Sequence, residues 1–134
     1  MKTKITRITL DKVLHKKFKM ELFPRHIYLY VGNTFKEALE SFEKDFNTKE
    51  VVPATVVARC NYNENYGIAA IMLDINSPEL VDNIYHEALH AAGFIVTSLG
   101  FEYSFNNDEL LAYLQGYISD KILSFLKITY TVTQ

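Results

Sequence analysis

The sequence predicts an α+β fold in which a small mixed or antiparallel sheet packs on helices. It predicts a single domain spanning residues 1–134. Three observations lead there. Runs rich in β-branched and aromatic residues at 27–31, 55–62 and 66–74 have the length and the flanking turn chemistry of strands. Apolar residues recur at helical spacing over 34–46, 78–99 and 108–127. The chain has 134 residues, 49% hydrophobic and 22% charged, which suits one globular core.

Taken in order, residues 5–10 alternate Ile5, Ile8 and Leu10 with polar neighbours, as in a short strand or an arm. Residues 11–22 set Val13, Leu14, Phe18 and Leu22 among Lys12, His15, Lys16, Lys17 and Lys19. That spacing predicts an amphipathic helix with a basic outer face. Pro24 breaks it. The strand at 27–31 closes at Gly32-Asn33. His26, at its start, reads as structural. Thr34 can cap the next helix with Glu37 as its box partner, and Phe35, Ala38, Leu39, Phe42 and Phe46 form its buried stripe. A strand from about Thr55, the turn residues Asn63-Glu64-Asn65 and a return strand at 66–74 make a hairpin. Ser77-Pro78-Glu79 opens a helix that Gly100 stops. Its apolar residues wrap most of the circumference, as in a buried helix. Asn106 or Asn107 can cap the last helix. The tail 128–133 is β-prone and either joins the sheet or stays loose.

Composition narrows the function classes. A net charge of -2 gives no electrostatic case for nucleic acid or an anionic membrane. No apolar run is long enough to span a bilayer, and the first seven residues lack a signal-peptide core. Cys60 is the only cysteine, so no internal disulfide forms, and the expectation leans to the cytoplasm.

The chemistry concentrates in Tyr85-His86-Glu87-Ala88-Leu89-His90, an H-E-x-x-H run inside the predicted helix 78–99. Residues four apart lie one turn above each other on a helix, so His86 and His90 can share one metal ion. Glu87 can reach a water on that ion. This is the arrangement of a zinc hydrolase, with one zinc ion as cofactor and Glu87 as general base. The plainer readings are two solvated histidines on a surface helix, or a metal site without catalysis. A catalytic zinc needs a third protein ligand. In the pattern ending in a third histidine, Gly93 falls on the glycine position but Val96 replaces the histidine, which closes that route. A pattern with a glutamate from the following helix is met by Glu109, which shares a face with Ala112, Tyr113 and Gly116; Ala112 and Gly116 are small, which would let this helix pack on the motif helix. Asp108 is the fallback. Nothing in the spacing of His15 or His26 favours them.

With His86, Glu87 and His90 on one helix and Glu109 on the next, the chain resembles a minimal zincin metallopeptidase of the gluzincin type over about residues 62–120. It is more loosely similar to the ImmA/IrrE-like metallopeptidases and to small zincin-like proteins of bacteria and phages. The resemblance implies a protein or peptide substrate lying along residues 68–74 as the edge strand. Tyr113 stands where gluzincins often carry an orienting aspartate, so Asp82 and Asp120 are the candidates for that role. Tyr66, Tyr103, Tyr113, Tyr117 and His26 are the candidate oxyanion donors. The rival expectation is a catalytically silent zincin-like module that docks a partner.

Overall fold

The computed structural model describes residues 2–6, 10–20, 23, 25–102, 104 and 108–133, with the backbone alone for 2–6 and 129–133. The elements run β1 (Lys2–Thr6), β2 (Leu14–Lys19), β3 (His26–Gly32), α1 (Phe35–Phe46), β4 (Ala58–Asn63), β5 (Ile68–Asp74), α2 (Leu80–Ser98), α3 (Asp108–Leu126) and β6 (Thr129–Thr133). The main sheet has the order β2-β3-β5-β4, and β1 and β6 form a separate two-stranded ribbon. β3 and β5 pair in parallel; β2 and β4 flank them antiparallel. The α+β class with a mixed sheet is thus observed.

The central strands are apolar on both faces, as strands covered on both sides must be. Ile27, Leu29 and Val31 of β3, with Ala69, Ile71 and Leu73 of β5, face the core shared with α2 and α3. Tyr30, Ala70 and Met72 face the opposite way, onto Phe35, Ala38 and Phe42 of α1. Thr34 caps α1 by accepting from Glu37 N at 3.2 Å, while Glu37 accepts from Asn33 N at 3.0 Å. A Cβ at Gly32 would stand 2.6 Å from Thr34 O and 2.9 Å from Ala38 N, so glycine is what lets β3 run straight into α1.

Four expectations need correction. Residues 14–19 form a strand, not a helix. Leu10, Leu14 and Phe18 recur every four residues, which satisfies a strand's period of two as well as a helix turn, and pairing with β3 decides it. The segment β5 is not an edge: it is paired on both sides, and β4 is the edge strand beside α2. The tail joins β1 rather than the main sheet, and the early strand is Lys2–Thr6, with residues 7–9 outside the described set. The face of α3 bearing Ala112, Tyr113 and Gly116 is exposed instead of packed on α2. The hairpin and the helices expected at 34–46, 78–99 and 108–127 are present, with α2 starting two residues later than expected, after a turn in which Ser77 Oγ accepts from Glu79 N.

Candidate metal centre

The helix carrying the motif is launched by a tight exit from the sheet. Ile75 N donates to Gly32 O at 2.9 Å, Asn76 N to Asp74 Oδ1 at 2.7 Å, and Asn76 Nδ2 to Asn33 O at 2.8 Å. Those bonds fix the turn at the end of β5. Leu80, Ile84, Ala88, Ala91, Ala92 and Ile95 then seat α2 against the sheet.

With that face buried, His86 and His90 point outward on successive turns and are exposed. Their Nε2 atoms lie 3.2 Å apart. Two nitrogens bound to one tetrahedral zinc at about 2.05 Å would be about 3.3 Å apart. The side chains thus already converge as the ion would require. Glu87, one residue further round the helix, is only 6% exposed. Candidate ligand atoms of His86, Glu87 and His90 all lie within 4.8 Å of one another.

Glu87 faces β4. Burial pushes its carboxyl above the usual range, and the positive charges of His86, His90 and Arg59 pull it partly back. The thiol of Cys60, on β4, is itself pushed up by burial and then by the charge of Glu87.

On the other flank lies α3, tied to α2 by Gln115 Nε2 donating to Tyr85 O at 2.9 Å. Between the two flanks opens a cavity of about 960 Å³, lined by Tyr62, Leu89, His90, Phe94, Thr97 and Leu111 among others. Tyr62 and Phe94 stack with ring centroids 5.1 Å apart. Sequence reasoning passed over both. The signal was in the alternation of Ala58, Cys60 and Tyr62, which all turn to the α2 side.

Glu109 stands exposed in the first turn of α3 and is not part of the group formed by His86, Glu87 and His90. Asp108, Leu111 and Gln115 share a face through i, i+3 and i+7 spacing, and that face borders α2. Glu109 goes with the exposed Ala112 and Tyr113. Asp82 and Asp120 are both exposed. Of the candidate oxyanion donors, Tyr66 is 70% exposed, Tyr113 stacks on Tyr117, His26 sits at the start of β3, and Tyr103 lies outside the described residues. No described helix is long and apolar enough to cross a membrane. Comparison of the chain with protein-family models, curated proteins and solved structures finds no match.

Proposed function

We propose that the protein is a zinc-dependent peptide hydrolase of minimal zincin type. The observation that carries this reading is the convergence of the His86 and His90 Nε2 atoms at 3.2 Å beside a buried glutamate. Bound there, zinc would bring the pKa of a water towards neutrality and polarise the scissile carbonyl. Glu87 accepts a proton from the attacking water and delivers it to the leaving amine. Its carboxyl, raised by burial, is a stronger base than an exposed glutamate. A purely structural site would have no use for such a group.

The third ligand belongs to the first turn of α3. Glu109 is the residue that the sequence pattern nominates, and Asp108 is the one on the face shared with Leu111 and Gln115. The substrate is an extended protein or peptide segment laid against the outer edge of β4, in place of the β5 edge expected from the sequence. β4 pairs with β5 alone among the described strands, so its other side offers a free backbone ladder. The Tyr62–Phe94 wall and Leu89 then take up substrate side chains. The single Cys60 fits a reducing compartment such as the cytoplasm.

The test is metal content of the purified protein by mass spectrometry, paired with hydrolysis of denatured casein with and without chelator. The wild type should hold about one zinc per chain. His86→Ala should lose it. Whichever of Asp108→Ala and Glu109→Ala also loses it identifies the third ligand. Glu87→Gln should keep the metal and lose hydrolysis. A wild type that takes up no zinc would end the reading; one that keeps zinc but never cleaves would leave a metal-holding interaction module.

A further inference from the structure

β2 is the outer strand at the end of the sheet opposite β4. Three strand spacings, roughly 14 Å, separate the two edges. Only β3 pairs with β2, and no other described segment bonds its outer side through the backbone. The edge is also strongly basic. Lys16 stands on one face of the strand. His15, Lys17 and Lys19 stand on the other, in register with Tyr30, Tyr28 and His26 of β3. All four are exposed. Neither these lysines nor Lys12 forms an ion pair among the described residues. Burial, then the charges of Lys17 and Lys19, hold the His26 imidazole below its ordinary value, so the lysine field is felt locally.

The concentration of charge extends beyond this strand. Residues 1–25 hold eight of the 14 Lys and Arg but two of the 16 Asp and Glu, a balance of +6. The rest of the chain must then carry -8 to reach the net -2. A net charge near zero therefore conceals a basic end.

We propose that the outer edge of β2 docks an extended acidic segment of a protein partner as an added strand. Lys16 on one face and Lys17 and Lys19 on the other receive its carboxylates. Three observations choose this occupant. The free backbone ladder can be used by a polypeptide and not by a phosphate chain. The rings that could stack on bases are already engaged, His15 against Tyr30 at 4.5 Å and edge-on to Tyr28 at 5.7 Å. The apolar residues of the strand, Leu14 and Phe18, pack against the core and leave nothing to enter a bilayer. The lysines also repel a second β2, which keeps the edge from pairing with a copy of itself while admitting an acidic strand.

The probe is a fluorescein-labelled peptide of alternating threonine and glutamate, followed by anisotropy on the full chain. Parallel arms use oligothymidylate and phosphatidylserine vesicles. The acidic peptide should bind, weaken with added salt, and weaken about tenfold or more in Lys17→Glu/Lys19→Glu. Circular dichroism of the variant should be unchanged, since both positions are exposed. Hydrogen exchange should show new protection of amides within 14–19 on binding. Oligothymidylate or vesicles binding in preference to the peptide would overturn the proposal. So would peptide binding indifferent to the charge reversal, or binding that leaves those amides unprotected.

Discussion

Adding zinc to the metal-free protein should raise its melting temperature by about 10 °C. The His86 and His90 nitrogens stand 3.2 Å apart before any ion arrives, so α2 need not rearrange to bind. Binding energy then appears as stability of the folded chain. Free zinc at a hundredfold excess over its dissociation constant stabilises by about 2.7 kcal/mol. Unfolding 134 residues at about 2.1 cal/mol/K each gives an entropy of about 0.28 kcal/mol/K, and the ratio of the two is about 10 °C. The control is unusually clean because both histidines are exposed. Replacing either with alanine should change metal-free stability by no more than about 0.5 kcal/mol. Differential scanning fluorimetry across a zinc titration, on wild type, His86→Ala and His90→Ala, is the assay. The shift should shrink to near zero in both variants. A wild-type shift below about 2 °C at saturating zinc, or an undiminished shift in the variants, would refute the argument from geometry.

Three further expectations follow from other parts of the fold. Glu87 is raised by burial, so folding favours its protonated form. Its contribution is full below the ordinary glutamate pKa of about 4.3 and is lost as pH rises through the raised folded value. Glu87→Gln should therefore stabilise the metal-free protein at pH 7 and do little at pH below about 4; urea unfolding at the two pH values measures this, and destabilisation at pH 7 would contradict it. Gly32→Ala should cost about 1–3 kcal/mol in the same assay, because the added methyl meets backbone of α1 that cannot swing away. Phe94→Leu and Tyr62→Leu, combined in a double-mutant cycle, should show a coupling of about 1 kcal/mol from the ring stack, and additivity would remove the stack as a stabilising contact.

Much of this was readable from local pattern. Helices α1, α2 and α3 announce themselves because an amphipathic or buried helix repeats over many residues. The His86–His90 pair is legible because one helix turn contains it. What escaped depends on which strands neighbour each other. The run Ala69–Ala70–Ile71–Met72–Leu73 is apolar without alternation, the mark of a strand covered on both faces, whereas Arg59, Asn61 and Asn63 interrupt β4 as an edge strand would. Strand order follows from pairing across α1 and the β4 hairpin, which no local window contains. The basic segment at 12–19 misleads for a different reason: a repeat of four divides evenly by two. Glu109 stands out in sequence as part of a motif, yet only the contacts of Leu111 and Gln115 reveal which side of α3 borders the histidines.

The ribbon of β1 and β6 pairs Lys2 with Thr133 and thereby joins segments far apart in the sequence. Such a pairing carries the largest loop-closure cost of the strand pairings among the described residues and is favoured once the intervening polypeptide is already compact. It should be the last element to assemble and the first to open. Because β2, β3, β5 and β4 hydrogen-bond among themselves without it, its opening can proceed as a local event. A protease or exchange experiment that sees residues 2–6 and 129–133 released would then report on this ribbon alone while the histidine pair stays in place.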